Sequence, residues 1–298
     1  MLLLTTPALA SMEFQQIAGE KTTEFIYKRP SLPALSFSLD NSKISGQFSN
    51  KKKYSAELAQ QHIRHQVLLA SVKLQQRGVK IRLSPSNLPL AVTISGGDMN
   101  KVAAIRQQLD KAQTDAFSSY LQRDYQYLLT TNMGESYVIP DHVRVMRESL
   151  PVIQPVANSF IALYGQNNIR KISAQIAEWI QQIPYQNLSD RRESAGAGFS
   201  GPVQLLMENA GDCDSKVVLF AAVLRNIFPK LSIGVLYFND HAVIAAQIPA
   251  LENELTVTLN DINYLLLDPT GPAIMPIGKL NSPYDIQLKS RQFSYRLF

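Results

Sequence analysis

The sequence predicts an α+β fold in two parts: a C-terminal core in which a central helix packs on an antiparallel sheet, preceded by a separate N-terminal α+β domain. Three observations carry this. Apolar residues recur at helical spacing over several long stretches; short β-rich runs are bounded by turn dipeptides; and one stretch, Val217 to Leu224, is apolar nearly all round, as a helix buried on every side must be. A chain of 298 residues with 45% hydrophobic and 18% charged content can bury such a core, as one large or two modest domains.

Taken in order, Phe25-Ile26-Tyr27 and Leu35 to Leu39 alternate apolar and polar around Pro30 and Pro33, which predicts two strands joined by a turn. Leu58, Ile63, Val67, Leu68, Val72 and Leu74 predict a helix, with Gly78 just beyond its end. Short strands are expected at 79–83 and 90–94. From Asp98 a long helix is expected to about Leu129, with Val102, Ile105, Leu109, Ala112 and Ala116 on one face. Residues 130–167, with Pro140, Pro151 and Pro155, read as a linking stretch holding short helical pieces. The expected division is therefore an N-terminal segment over 1–15, an α+β domain over 16–135, a connector over 136–167 and a second domain over 168–298.

In the second half, Ile172, Ile176, Trp179 and Ile180 share a helical face that ends before Pro184, and 187–200 is a polar, glycine-containing loop. Pro202 opens a short helix through Glu208, and the apolar helix runs from Cys213 to about Phe228. Strands are expected over 231–238, 241–248, 255–259 and 262–267, with Asn239-Asp240 and Asn260-Asp261 as turns.

The net charge of +5 is spread along the chain, with tight clusters only at Lys51-Lys52-Lys53 and Arg191-Arg192. Neither cluster is interleaved with stacking aromatics, so no nucleic-acid partner is expected. One cysteine excludes an internal disulfide. Met1-Leu2-Leu3-Leu4 followed by Ala8-Leu9-Ala10-Ser11 reads as an export signal without its charged leading region, and the expectation is an exported, periplasmic protein, otherwise a cytoplasmic one. No run approaches the ~18 apolar residues of a spanning helix, so no stable membrane insertion is expected. Gly196-Ala197-Gly198-Phe199-Ser200-Gly201 formally matches a dinucleotide fingerprint but follows a helix and a loop rather than a strand. His62 and His65 read as a solvated helical face. No metal or cofactor site is expected.

Chemistry concentrates in three motifs. Gly211-Asp212-Cys213-Asp214-Ser215-Lys216 places the sole thiol at a helix start, where backbone N–H groups and the helix dipole favour a thiolate and can serve a developing oxyanion. His241 stands in Asn239-Asp240-His241-Ala242-Val243, and Asp268 in Tyr264-Leu265-Leu266-Leu267-Asp268-Pro269-Thr270-Gly271. If the strand ending at Asp268 lies antiparallel beside the one His241 opens, the two side chains meet. Asp212 and Asp214 oppose thiolate formation unless they point away, and Asp212 can be a helix cap. Each residue also has an ordinary use: a buried apolar cysteine, a hairpin histidine, a turn-starting aspartate.

GDCDSK, DHAV and YLLLDPTG, in that order over roughly residues 165–280, resemble the transglutaminase-like branch of the papain-like cysteine enzymes. The resemblance implies a papain-like, transglutaminase-like core, with Cys213 as nucleophile, His241 as general base and acid, and Asp268 orienting the imidazole. It also implies an oxyanion donor from an upstream helix or loop; Gln182 is preferred and Trp179 is the alternative, with Trp179 also fitting the core and Tyr185 either lining the cleft or packing. The expected activity is acyl chemistry on a peptide or protein substrate, as a cysteine peptidase or amidase, with transfer to an amine or non-catalytic peptide binding as alternatives. The N-terminal domain is expected to bind a partner or cover the cleft.

Overall fold

The computed structural model describes residues 12–30, 32–45, 52–131, 134–188 and 198–298. The expected export signal at Met1–Ser11, Lys51, Arg191-Arg192 and most of the 187–200 loop lie outside the described residues. Elements run in the order β1 (Glu13–Ala18), β2 (Thr22–Lys28), β3 (Leu35–Asp40), α1 (Asn41–Ile44), α2 (Ala56–Lys73), β4 (Val79–Leu83), β5 (Val92–Gly96), α3 (Met99–Arg123), β6 (Gln126–Thr130), β7 (Ser136–Pro140), α4 (His142–Tyr164), α5 (Ile169–Gln182), α6 (Pro202–Glu208), α7 (Cys213–Ile227), β8 (Ile233–Tyr237), β9 (Ala242–Ala246), β10 (Thr256–Leu259), β11 (Ile262–Leu267), α8 (Tyr284–Lys289) and β12 (Ser294–Leu297). The fold is α+β with antiparallel sheets. Among the described residues no helix is long and apolar enough to cross a membrane.

Two compact units result. One holds α2, α3 and the β4–β5 hairpin, closed around Ile63, Val67, Ile94, Ile105, Leu109 and Ala116. The other holds β1–β3 together with α4 and everything that follows it. The sequence expectation grouped the first strands with α2 and α3. They belong instead with the C-terminal elements, because the single apolar row of this sheet (Phe25, Tyr27, Leu35, Phe37, Leu39) is buried where α4 packs on β3. Trp179 of α5 meets Tyr27 and Phe37 edge-on at 5.3 and 6.2 Å and Phe160 of α4 at 5.5 Å. Ser159 Oγ donates to Ser36 O at 2.6 Å and Arg29 Nη2 to Tyr164 Oη at 2.6 Å, which fixes the edges of the same contact.

The expected connector of short helical pieces is instead one helix, α4, of 23 residues with Pro151 and Pro155 inside it. An internal proline costs about 3 kcal/mol in an isolated helix. Here Val145, Met146, Val152, Ile153, Val156, Ala157 and Phe160 bury one continuous face, while Arg147 and Pro151 are exposed, so water can satisfy the Arg147 carbonyl that Pro151 leaves without its helical donor.

At the centre lies α7. Every residue from Ser215 to Leu224 is buried, with α4, α5 and α6 against it on the helical sides and β9 and β8 beneath. The sheet order is β10-β11-β9-β8-β12. Val243 and Ala245 of β9 join Leu236, Tyr264 and Leu266 in an apolar cluster on one face, so the alternate residues Ala242, Ile244 and Ala246 are buried on the other. Asn260 and Asp261, both at positive φ (48° and 62°), make the two-residue β10–β11 hairpin turn, as the twist of paired strands favours. The sequence reading missed α1, β1, β6, β7, α8 and β12; β12 covers the β8 edge of the sheet, and β6 lies within the stretch expected to stay helical to about Leu129.

The only tryptophan in the chain is fully buried, so its fluorescence emission should be blue-shifted and weakly quenched by acrylamide in the folded protein, and should red-shift on denaturation. Quenching equal to that of free tryptophan would contradict the packing of β1–β3 on α5.

Candidate active site

Local chemistry positions the thiol first. Asp212 caps α7: its Oδ1 accepts from Ser215 N at 2.9 Å and from Ser215 Oγ at 2.5 Å, and Ser215 Oγ accepts in turn from Ser200 N at 2.9 Å. This carboxylate is thereby committed to the helix end, as one sequence reading allowed. Gly211 precedes it because a Cβ there would lie 2.7 Å from Leu205 Cδ1. Gly211 also forms a bridge with Tyr185, anchored by Gly211 N to Pro184 O at 3.2 Å and Gln186 N to Gly211 O at 3.1 Å. The segment after α5 is thus fastened beside the start of α7.

The sheet supplies the next two groups. β8 and β9 are joined by the Asn239-Asp240 turn, closed by Phe238 N donating to His241 O at 2.8 Å, so His241 stands at the mouth of β9. β11 lies antiparallel beside β9, with Leu267 opposite Ile244, and the next residue is Asp268. The side chains meet: His241 Nε2 and Asp268 Oδ2 are 2.8 Å apart, and both side chains are about nine-tenths buried. Asp268 Oδ1 accepts from Thr270 N at 2.9 Å. Burial pushes the Asp268 carboxyl up, but the His241 hydrogen bond and charge and the Thr270 N–H outweigh it and hold it below the usual carboxylate range. With Nε2 engaged by Asp268, Nδ1 is the ring nitrogen left for other chemistry. The ring face is covered by Tyr284 of α8, stacked at 4.4 Å between centroids, and burial, then the Asp240 carboxylate, push the Tyr284 hydroxyl up.

Cys213 reaches the same edge, where the backbone N–H of Ala242, the residue after His241, is near enough to favour the sulfur as an anion. The sulfur also lies 3.6 Å from Asp214 Oδ1. Burial first, then Asp214 and Asp212, push the thiol well above its usual range, against which the Ala242 N–H works. The resting group is a thiol, not the thiolate that the helix start led one to expect; desolvation and the Asp214 carboxylate outweigh the helix dipole.

Beneath the thiol is a residue that the sequence reading passed over. Lys216 is fully buried, and its Nζ donates to Ile183 O and Thr270 O, both at 2.6 Å. These are the backbones that follow α5 and Asp268, so one ammonium ties α7 to both. Desolvation lowers this lysine to about 8, while Asp268, Asp212 and Cys213 work the other way. The signal was available: a lysine one turn past Cys213 points the same way as the cysteine, and it sits within an otherwise apolar helix.

The two upstream donor candidates go elsewhere. Gln182 Nε2 donates to Glu178 O at 3.0 Å within its own helix. Trp179 sits in the aromatic core described above, with its Nε1–H buried and unpartnered. The neighbouring Gln181 does the structural work: its Nε2 donates to Asp268 O at 2.5 Å and Met275 O at 2.9 Å, and its Oε1 accepts from Met275 N at 3.2 Å. Gly271 at φ +67° is required beside it, since a Cβ would collide with the Gln181 carbonyl. Tyr185 is half exposed and electrostatically coupled to Cys213; burial first, then Cys213, Asp212 and Asp214, push its hydroxyl up to about 12, so it stays a donor at neutral pH. Among the described residues no group of three or more His, Cys, Asp or Glu could hold a metal ion. His62 instead hydrogen-bonds Ser119 at 3.2 Å.

Gln181→Ala should cost about 2–4 kcal/mol in chemical denaturation, because it strands buried groups of the Asp268 loop, whereas Gln182→Ala should change stability by less than about 0.5 kcal/mol. Equal effects would refute the assignment. No protein-family model, no curated protein and no solved structure matches the chain.

Proposed function

We propose that this protein is a cysteine hydrolase acting on peptide or amide bonds, built on a papain-like, transglutaminase-like core with Cys213, His241 and Asp268 as its triad. The observation that carries the reading is the 2.8 Å His241–Asp268 pair at the edge where the only thiol of the chain has the backbone N–H of Ala242, next to His241, beside it. Three groups of complementary role, from α7, β9 and the end of β11, converge on one sheet edge.

In this reading Asp268 holds His241 through Nε2 and stabilises the imidazolium, as the orienting carboxylate does in any nucleophile–base–acid set. The Cys213 proton passes to His241 Nδ1 as Sγ bonds the substrate carbonyl carbon. The same proton goes to the leaving amine as the C–N bond breaks, which leaves a thioester. Water then attacks the thioester, its proton taken up by His241, and the acid departs with the thiol restored. Transfer to an amine differs only in the acceptor.

The developing oxyanion needs two donors. The Cys213 backbone N–H is one of the first-turn donors that no helical carbonyl can satisfy. Tyr185 takes the place first assigned to Gln182, on the strength of its coupling to Cys213, its protonated hydroxyl and its attachment beside Gly211.

Purified protein should release amine from members of a fluorogenic peptidyl-amide library, and intact mass spectrometry should trap an acyl adduct on Cys213. Cys213→Ala and His241→Ala should each lower turnover at least about a thousandfold. Tyr185→Phe should lower kcat about a hundredfold with KM nearly unchanged. Incorporation of a dansylated amine faster than hydrolysis would move the activity to acyl transfer. Neither turnover nor adduct with any amide would leave a binding module.

A further inference from the structure

The thiol has a second flank that the triad does not use. Asp214 Oδ1 is 3.6 Å from Cys213 Sγ, and its Oδ2 is 3.5 Å from Nε2 of His142, the first residue of α4. His142 is fully buried. Its Nδ1 is 2.7 Å from the hydroxyl of Tyr237, and its ring is stacked on Tyr237 at 5.6 Å and packed on Phe199 at 4.9 Å. Tyr237 ends β8, in the same hairpin that presents His241. Two carboxylate–imidazole pairs thus lie about the start of α7: Asp268 with His241, and Asp214, which flanks the thiol, with His142.

We propose that Asp214, buttressed by His142 and Tyr237, is a further catalytic residue that governs whether Cys213 can ionise. Protonated, its O–H donates to the sulfur and stabilises the thiolate; ionised, it accepts the thiol's own S–H and holds the nucleophile neutral. The groups facing its carboxyl are Cys213 and Asp212 from its own helix start, His142 from α4, His241 at the start of β9 and Tyr185 after α5. Burial first, then Asp212, push it up to about 7, against the Cys213 contact and the His241 charge, although 28% of the side chain keeps access to solvent. Asp214 thus changes charge near neutrality: the site is enabled below that pH and restrained above it. The sign agrees with linkage. A carboxyl raised above its unfolded value favours the fold when protonated, and that contribution fades as pH rises through about 7.

The proposal uses the reading of Cys213 as a nucleophile only for its catalytic consequence, and its test reads the thiol itself. Rates of iodoacetamide alkylation of Cys213, the sole cysteine, would be followed by mass spectrometry from pH 5.5 to 9 in wild type, Asp214→Asn and His241→Ala. Wild type should titrate in two steps spread over more than about two pH units, as coupled groups do. Asp214→Asn, which keeps a neutral donor in place, should titrate in one step. It should label about tenfold faster than wild type at pH 8, for a change of about one unit in the thiol, and at the wild-type rate below pH 6. A constant ratio across the range, or a single-step wild-type profile, would overturn the proposal. The wild-type profile decides the matter even if the variant folds poorly. A His241→Ala rate equal to wild type, together with the Asp214→Asn effect, would retain Asp214 as the governor of the thiol and remove the triad.

Discussion

A helix whose whole middle is apolar can exist in water only if something covers it on every side, and α7 imposes that demand on the rest of its unit. β9 and β8 take one side and α4, α5 and α6 the others, and each of these carries or supports a residue of the site. The end of such a helix must still emerge at an edge, because its first N–H groups need partners. Asp212 accepts from Ser215 N and so caps the helix, and Cys213 is left where the edge of the sheet meets the helix start. The position of the thiol is thus a consequence of how the core is closed.

The buried Lys216 ammonium shows how tightly this edge is bound. A cation without water must be surrounded by oxygen, and the available oxygens are the Ile183 and Thr270 carbonyls, which follow α5 and Asp268. Gln181 adds a second tie, holding the Asp268 loop to α5 through three hydrogen bonds. Together they make Asp268 part of a rigid frame, so the imidazole it holds has a fixed orientation.

Electrostatics sets the resting state of the site. The helix start, the Ala242 N–H and the Lys216 charge favour sulfur as an anion, while desolvation, Asp214 and Asp212 favour the thiol, and the second group wins in the free protein. In the proposed reading, a substrate that excluded water without neutralising Asp214 would strengthen that restraint, which gives the His142 flank a weight of its own beside Cys213, His241 and Asp268.

The sequence by itself determined the element types, because periodicity of 3.6 or 2 is written in which residues are apolar: α2, α3, α5, α6, α7 and the four strands of the second half follow from it. It also held the three motifs, but His241 and Asp268 meet only because β11 lies antiparallel beside β9, a pairing the sequence left conditional. Tertiary structure decided the rest. Periodicity says that a face is buried but not against what, so β1–β3 went to α4 and α5, and the prolines of α4 were outweighed by an apolar face whose partner, α7, lies some seventy residues away. Neighbouring helix positions differ by about 100°, which is why Gln181 and not Gln182 turns toward the Asp268 loop. His142, seventy-two residues before Asp214, lies beside that carboxylate because two helices pack, and local sequence carries no trace of that contact.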